Sequence, residues 1–521
     1  MGFVAMARRG TPTPLRACLA AAAIAAARPG PPGAAPSCAP PTIDPPSVMR
    51  NGGDMRSAPL APGSALAACV ALCCDTDRCV AFSFNDPQPM ASGACAAGGV
   101  CCMLKSSNGT LAPNRWPGNV TTGGMAWVPP PPPGPGPTPP FPPSPLLSDA
   151  AFGAPRHWGS AGDTWPSAWA ADGNLYAWPC DSAAGPMSLW RVDGAPDDAA
   201  GLSAVEVSTR AGGPIDDVAL CSHLGPVGPY PRINVKPGGM VALPATPDAP
   251  NGTLVVGVSC MNYGDDPAFN RQHNIEGFVA ESVDNGATWR NTSAVGGALA
   301  GRFAAPIFVS CGRANEPCAA KDGDLLFVFF AAADDGSAYW DNNDGLFLAR
   351  VPTAARADPS AFEYFAGFDG AGAPAWSPDQ RQAQPSLAFG SMVGENAVTY
   401  HPLLQRYLVA NFGFIDVAGR PRPWHTEPFM SPHRTQLTLL EARDPWGPWS
   451  LFFRSDDSAA LTPAAPGLYT PTFPSKFAAE SVGADGRIQL WMFFACLDGA
   501  PGCLYTLNWV NISVAVNSSA I

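Results

Sequence analysis

Apolar and polar positions follow one arrangement five times from residue 148 onward. Each repeat has a strand, a tight turn, a second and more apolar strand, a variable polar loop and a third strand. In most repeats a further turn and a fourth strand follow, at a period of roughly 70 to 90 residues. Apolar runs of this kind, bounded by turn residues, are typical of β-strands. The first strands of the repeats are predicted to begin near residues 163, 233, 303, 396 and 469.

Repeats of four strands favour a β-propeller, because small twisted sheets packed around an axis leave only short edges exposed. Five repeats predict five blades. A two-sheet sandwich is the competing all-β fold, but it does not explain why the same strand order recurs. The expected fold class is therefore mostly β, with a five-bladed β-propeller over residues 148–521.

Residues 282–289, SVDNGATW, stand between the third and fourth strands of the second repeat. They fit Ser-x-Asp-x-Gly-x-Thr-Trp and so resemble the Asp box of sialidases and several other β-propellers. Asp284 suits an Asx-type turn, and Gly286 tolerates a positive φ. We expect this turn on the face opposite any functional site, with residues 444–449, DPWGPW, in the equivalent place of blade four.

The N-terminal part of the chain is rich in cysteine, with eight Cys residues between Cys38 and Cys102. An even number in so short a segment predicts a disulfide framework. Residues 65–85, ALAACVALCCDTDRCVAFSFN, combine cysteines at helical spacing with a strand, and CCMLK closes the unit. A zinc site is the alternative, but no His occurs in residues 1–156, and adjacent cysteine pairs suit zinc poorly.

These residues resemble the PAN/Apple family over about residues 38–128. The resemblance implies a small disulfide-rich α+β domain that binds proteins or carbohydrates and carries no catalytic site. The proline-rich stretch after it is predicted to be a polyproline II linker over residues 129–147.

The N-terminal segment, the sequons and the net charge of the chain indicate its cellular location and the classes of partner it can bind. Arg8 and Arg9 precede an apolar run of small residues, which predicts a secretory signal within residues 1–35; a transit peptide is the alternative. Secretion also fits sixteen cysteines and glycosylation sequons, which stand at Asn108, Asn119, Asn251, Asn291, Asn511 and Asn517. No segment is long enough to span a membrane, and a net charge of −12 disfavours nucleic acid.

The long polar loops between second and third strands make one face the predicted functional face. A few polar groups and aromatic rings around one funnel are what sugar recognition needs, although a polar rim is also the ordinary surface of a propeller. The candidate substrate-binding residues are Trp165, Lys236, Asn262, Asp265, His273, Arg302, Trp340, Trp424, His425, Tyr469 and Lys476.

Five segments of the large domain together resemble the domain of unknown function 4185 family of secreted five-bladed propellers, near arabinanase-like and sialidase-like glycoside hydrolases. They are GDTWPSAWAADGNLY, INVKPGGMVAL, SVDNGATW, DPWGPW and YTPTFPSKF. The resemblance implies a carbohydrate-related role. Glycosidases of these groups use two acidic side chains. Asp163 is similar to the base that begins the first inner strand, and Glu395 or Glu276 is the candidate acid, since the third inner strand contains no Glu.

The expected protein is secreted and glycan-directed, with an Apple-like adhesion domain tethering a glycoside-hydrolase-like propeller. A non-catalytic carbohydrate- or protein-binding adhesin or scaffold is the alternative. The expected partners are a glycan or glycoprotein, and a protein bound by the Apple-like domain. No cofactor is predicted, and whether a Ca²⁺ supports the axis stays open.

Cys311 is predicted to pair with Cys318 and Cys496 with Cys503, while one of Cys180, Cys221 and Cys260 is left over.

Overall fold

A computed structural model describes most of the large domain and parts of the N-terminal one. The described ranges are 42–43, 48–51, 54–60, 68–69, 81–85, 100–105, 110–113, 120–124, 141–159, 162–180, 188–207, 233–262, 273–291, 299–395, 397–415, 434–458, 467–497 and 505–521, with residues 73, 221, 421 and 461. The chain divides into two compact units, Met1–Pro131 and Pro132–Ile521. No helix within these ranges is long and apolar enough to cross a membrane.

The first unit contains a small antiparallel sheet in the order β1-β7-β4-β5-β3 and a separate pair, β2-β6. Its strands are β1 (Thr42–Ile43), β2 (Val48–Asn51), β3 (Asp54–Leu60), β4 (Ala81–Asn85), β5 (Val100–Lys105), β6 (Thr110–Pro113) and β7 (Val120–Gly124). Cys69 lies in a helical stretch and forms a disulfide with Cys102 on β5, with Cα atoms 5.3 Å apart. The predicted disulfide-rich α+β domain is thus confirmed.

The second unit begins with two strands and continues with three sheets. The opening strands are β8 (Leu147–Phe152) and β9 (Arg156–Trp158). The first repeat has β10 (Ser167–Trp169), β11 (Leu175–Ala177), β12 (Trp190–Gly194) and β13 (Leu202–Glu206). The second has β14 (Ile233–Leu243), β15 (Thr253–Asn262), β16 (His273–Ser282), β17 (Arg290–Asn291) and β18 (Leu299–Ala300). The third has β19 (Ile307–Phe308), β20 (Ser310–Cys311), β21 (Leu325–Ala332), β22 (Ala338–Tyr339), β23 (Asn343–Pro352), β24 (Glu363–Phe368), β25 (Pro374–Ser377) and β26 (Pro385–Val393).

Two more sheets and a few short helices complete this unit. The fourth repeat has β27 (Val398–His401), β28 (Arg406–Ile415), β29 (Arg434–Ala442) and β30 (Ser450–Ser455). The fifth has β31 (Leu468–Thr472), β32 (Arg487–Cys496) and β33 (Leu507–Val516). The helices are α1 (Glu316–Asp322) and 3-10 turns at Gly301–Phe303, Thr353–Ala355, Pro359–Ala361, Gln380–Gln382, Ser475–Phe477 and Ser518–Ala520.

Four of the sheets run from an inner strand outward in chain order, as in β10-β11-β12-β13 and β14-β15-β16-β17, and the fifth, β31-β32-β33-β8, does so except for its outermost strand. Apolar clusters fill the gaps between successive sheets, so that each blade is covered on both faces. These observations confirm the predicted five-bladed propeller. The inner strands lie close to the predicted positions, although the first begins at Ser167 rather than near 163 and the third at Ile307 rather than near 303.

Glycines explain the late start of the third inner strand. The segment from Ala304 to Pro306 lies directly on the sheet of blade two. A Cβ atom added at Gly238 or Gly257 would lie 2.3 or 1.9 Å from the Pro306 carbonyl oxygen, and one at Gly277 would lie 2.5 Å from that of Ala304. Only glycine permits so close a backbone approach, and this approach brings blade three against blade two.

The ring closes through a strand that the repeat pattern does not reveal. β8 pairs antiparallel with β33 and so supplies the outer strand of blade five from the opposite end of the domain. β9 pairs with the start of the same strand, Leu507–Trp509. Both ends of the domain therefore meet in one sheet.

The end of the predicted linker also belongs to the propeller. Phe141 is 3% exposed within an apolar cluster, and Ser144 donates a hydrogen bond to the buried Glu441 carboxylate at 2.8 Å. Residues 141–147 are thus packed rather than extended as a spacer, because an aromatic ring and a hydroxyl interrupt the run of prolines. Residues 129–140 lie outside the described residues.

The SVDNGATW segment forms the turn between β16 and β17, and DPWGPW forms that between β29 and β30. The Asp284 carboxylate accepts hydrogen bonds from the Ser282 hydroxyl and from the backbone and hydroxyl of Thr288, at 2.6–2.8 Å. These bonds hold its pKa below the usual range, against the effect of partial burial. Gly286 has φ 91°, and a Cβ there would collide with Leu189. The segment is a turn that packs blade two on blade one.

Disulfides in the propeller join neighbouring segments. Cys311 and Cys318 are bonded with Cα atoms 5.9 Å apart, inside the usual window. Cys221 pairs with Cys260, which answers the question left by the three cysteines and leaves Cys180 as a buried thiol. Cys496 is also disulfide-bonded; Cys503 lies outside the described residues, so their pairing stays a prediction.

A proline in β8 tests ring closure. Ala151 lies opposite Ser513, and proline cannot donate a ladder hydrogen bond. Ser203→Pro is the matched control, because Ser203 also lies on an outer strand, opposite Asp193, in a blade built from continuous chain. We expect Ala151→Pro to lower the thermal unfolding midpoint by several degrees more than the control, since it also opens the ring. Equal losses in calorimetry would contradict this role of β8.

Candidate functional site

An open cavity lies on the propeller axis, and every blade contributes to its wall. The described residues that line it are Thr164, Trp165, Pro166, Pro237, Gly238, Gly239, Ile307, Glu395, Ala397, Thr470 and Thr472. The wall is mostly apolar, with a few hydroxyls, one indole and one carboxyl group. Such a combination is typical of small-molecule sites.

Asp163 stands at the seam between blades one and five. Its backbone exchanges two hydrogen bonds with Cys180, at 2.8 and 2.6 Å, which anchor it just before β10. Its side chain is buried, and the Tyr469 hydroxyl donates a hydrogen bond to its Oδ2 at 2.5 Å. Because Tyr469 belongs to β31, the position of this carboxylate depends on the contact between the first and last blades.

Glu395 reaches the cavity from the start of blade four. Its Oε1 accepts a hydrogen bond of 2.5 Å from Asn274 Nδ2, and Asn274 Oδ1 in turn accepts one of 2.8 Å from Ser259. Its backbone N–H donates to the Trp340 carbonyl at 3.0 Å. Blades two and three therefore orient a carboxyl group that belongs to blade four.

Burial raises the pKa of Glu395 to about 7. Protein atoms surround its carboxyl group, although the residue as a whole is only partly buried and lines the cavity. The hydrogen bond from Asn274 and the charge of Lys236 lower this pKa, and the charge of Asp341 raises it. The cost of removing the carboxylate from water is the largest of these effects, so a large fraction is protonated near neutral pH.

The positive charge of Lys236 lowers the pKa of Glu395 and so opposes the effect of burial. Lys236 is itself buried on β14. Lys476 stands elsewhere: burial lowers its pKa, and the acidic groups that oppose this are Asp193 and Asp172 of blade one.

An aromatic wall connects the two acidic residues. The Trp340 ring lies 5.9 Å from that of Tyr469 and 5.4 Å from that of Phe414, in edge-to-face contacts. Tyr469 bonds Asp163, and Trp340 bonds the backbone of Glu395. Trp165, which the sequence also indicated, is 1% exposed and lines the cavity.

The other predicted residues divide into three groups. Asn262 and Glu276 are buried on β15 and β16, and His273 packs edge-on against Tyr339. The Arg302 guanidinium lies over the Phe347 ring at 4.6 Å. Burial raises the pKa of Asp334, and the positive charge of Arg302 lowers it. Asp265, Trp424 and His425 lie outside the described residues.

The predicted glycosylation sites differ in accessibility. Asn251 is exposed in the turn before β15, and Asn517 is exposed after β33. Asn511 is partly buried within β33, and Asn291 lies on β17. Asn108 and Asn119 lie outside the described residues.

Sequence reasoning missed Asn274, Thr164 and Thr470. Thr164 and Thr470 follow Asp163 and Tyr469, and both have a positive φ, 44° and 45°. Such a backbone is a true outlier for β-branched residues and costs about 1–3 kcal/mol each. No pattern in the amino-acid sequence indicates this backbone strain. For Asn274 a signal existed, since an amide within an apolar third strand needs a polar partner.

Within the described ranges, no group of three His, Cys, Asp or Glu side chains is arranged to hold a metal ion.

Comparison with known proteins identifies the N-terminal domain. Residues 48–105 match the PAN domain family, which confirms the resemblance seen in the cysteine pattern. No curated protein sequence matches the chain. The resemblance to the domain of unknown function 4185 family is not supported by these comparisons and stays a prediction.

Solved structures similar to the chain include several glycoside hydrolases. The catalytic domain of a GH62 α-L-arabinofuranosidase from Coprinopsis cinerea is 10% identical, covering 71% of this chain and 96% of its own, with a TM-score of 0.34. The GH43_1 enzyme of Xanthomonas citri with xylotriose is 14% identical, covering 70% and 90%, with a TM-score of 0.35. These scores are low, and the blade number rests on the strand order itself.

The raised pKa of Glu395 predicts a pH-dependent stability. The pKa of Glu395 in the folded state, about 7, exceeds the reference value of 4.5. The stabilisation that its protonated form gives to the folded state is therefore fully present below about pH 4.5 and is lost as the pH rises through 7. Glu395→Gln cannot ionise, so the variant does not lose stability in this way. We expect its unfolding free energy relative to wild type to increase by up to about 3 kcal/mol between pH 4.5 and 8, measured by urea unfolding.

Glu480→Gln is the matched control, because Glu480 is exposed. Its difference from wild type should stay constant over the same range. A Glu395→Gln difference that is equally constant would contradict a raised pKa at Glu395.

Proposed function

We propose that the propeller is a glycoside hydrolase in which Glu395 is the general acid and Asp163 the partner carboxylate. One observation carries the proposal. Glu395, which lines the axial cavity, is kept largely protonated by burial, and Asp163, which directly precedes the lining residue Thr164, is held by a phenol hydrogen bond. Glycosidic cleavage needs such a division, since one group donates a proton while the other attacks or activates water.

The chemistry follows from the two environments. Protonated Glu395 gives its proton to the glycosidic oxygen as the bond to the anomeric carbon breaks. Asp163 accepts a proton from the attacking water, or attacks the anomeric carbon itself before water replaces it. In either course one water molecule is consumed, and the products are a free sugar and an alcohol. Tyr469 positions Asp163, and Asn274 positions Glu395.

The remaining parts of the chain support an extracellular setting for this activity. The PAN domain and the disulfides of both units fit an oxidising compartment. In this proposal the chain is secreted and glycosylated, and the PAN domain is an adhesion module that holds the propeller near a glycan or glycoprotein.

A non-catalytic sugar-binding adhesin is the second candidate, and the PAN domain is the observation that favours it, because PAN domains often mediate binding. Both functions would bind a sugar in the cavity, but only the hydrolase would cleave it. Only the hydrolase requires a protonated acid at residue 395.

Leaving-group dependence tests the roles of the two acids. On methyl and oligosaccharide glycosides, Glu395→Gln should lower kcat about 10²- to 10⁴-fold, the usual contribution of general acid catalysis. On 2,4-dinitrophenyl glycosides the loss should be much smaller, because this leaving group needs no proton. Asp163→Asn should lose activity on both, and Glu480→Gln on neither. Equal losses of Glu395→Gln on both substrate types would rule out the acid role.

The pH profile tests the charges around Glu395. The kcat/KM of wild type should fall above about pH 7, as the acid loses its proton. Asp341→Asn removes a charge that raises this pKa and should move the fall to lower pH. Lys236→Met removes a charge that lowers it and should move the fall to higher pH. Shifts in the same direction, or none, would contradict the assignment of the acid.

A further inference from the structure

Two threonines of the cavity wall share an unusual setting at the seam between blades one and five. Thr164 directly follows Asp163, and Thr470 directly follows Tyr469. The side chains of Asp163 and Tyr469 are hydrogen-bonded to each other. Both threonines have a left-handed backbone, and both line the cavity. The two blades thus present the same pair of features, an anchored polar side chain followed by a strained threonine.

Their hydroxyl groups are not satisfied by the protein. Within the described part of the chain, neither Thr164 Oγ1 nor Thr470 Oγ1 has a hydrogen-bond partner, and the Nε1–H of Trp165 also has none. Trp165 is almost completely buried. Buried polar groups are normally paired, so unpaired ones in a cavity wall call for an explanation. Rotation about χ1 exchanges the methyl and hydroxyl of a threonine, so either residue can turn its oxygen to the cavity.

Strain and unpaired hydroxyls at the same two residues point to a ligand. Outliers of this kind persist where the surrounding structure enforces them, and they cluster at binding sites. A threonine hydroxyl both donates and accepts, which matches the hydroxyl of a sugar. An indole N–H adds a donor beside them.

We propose that Thr164 and Thr470 determine specificity by hydrogen-bonding the hydroxyls of one neutral sugar residue held in the axial cavity. This inference rests on the proposed function, because the same sugar would lie beside Asp163 and Glu395.

The charges around the cavity explain why the sugar is neutral. Glu395 is the one ionisable residue among the described lining residues, and the charges of Asp341 and Lys236 act on it. Asp163 directly precedes the lining residue Thr164, so Lys236 offers one positive charge against three carboxyl groups. A uronic or sialic acid would bring a further carboxylate into this negative field.

Binding of free monosaccharides tests the proposal without requiring turnover. The probes are D-xylose, L-arabinose, D-glucose, D-galactose and D-mannose, with D-glucuronic acid and N-acetylneuraminic acid as charged comparators. Dissociation constants come from ligand-observed NMR titration of the full chain, and unfolding midpoints from calorimetry. The variants are Thr164→Val and Thr470→Val, which keep the shape, and Thr164→Ser, which keeps the hydroxyl.

Thr399→Val is the matched control. Its hydroxyl donates to the Phe473 carbonyl at 2.6 Å and is absent from the cavity lining. Removing an unpaired hydroxyl should leave the unfolding midpoint unchanged or raise it, whereas removing a paired one should lower it. We expect each valine variant at 164 and 470 to weaken the binding of a neutral sugar about five- to tenfold. Thr164→Ser should restore it, and Thr399→Val should lower stability alone.

The outcomes separate this inference from the proposed hydrolase. Absence of binding by every neutral sugar, tighter binding of the acids, or unchanged affinity in both valine variants would overturn the inference. Sugar binding that depends on the two hydroxyls, without hydrolysis of any glycoside, would uphold it while the hydrolase fails. Hydrolysis with affinity that is indifferent to both valines would overturn the inference alone.

Discussion

The pairing of β8 with β33 is the constraint on which the rest of the propeller depends. This pairing makes one sheet from the two ends of the domain and so holds the first and last blades together. The same seam carries the bond from Tyr469 to Asp163 and the two strained threonines. A cluster that includes Trp165 and Trp509 fills the gap between these blades. The geometry of the candidate site is therefore a consequence of ring closure.

The second determinant of the site is a competition between burial and charge at Glu395. Placement in the crowded axis favours the neutral acid, while Asn274 and Lys236 favour the carboxylate. Burial is the larger effect, and the result is a pKa close to neutrality rather than a fully suppressed ionisation. An acid poised in this way can both give and regain a proton at physiological pH. Asp163, by contrast, is held by a phenol donor from the neighbouring blade.

Much of the fold was predictable, because repeated strands and turn residues are local signals. The five inner strands, the SVDNGATW turn and the disulfide-rich N-terminal domain could be read from spacing alone. The closing strand β8 could not, since it belongs to a repeat at the far end of the domain. Of the candidate site, the sequence indicated Asp163 and Glu395, which precede inner strands, and their roles stay predictions. The backbone strain at Thr164 and the partner of Asn274 arise only when separate blades meet, and no local pattern reports them.

Carbon-13 NMR of the glutamate carboxyl groups tests the central claim most directly. The chain contains nine Glu residues, so selective labelling at the carboxyl carbon gives a spectrum simple enough to titrate. We expect one resonance to have its midpoint near pH 7 and to disappear in Glu395→Gln. If the resonance lost in that variant titrates near pH 4.3 instead, as an exposed Glu does, the ring does not build a protonated acid at its axis.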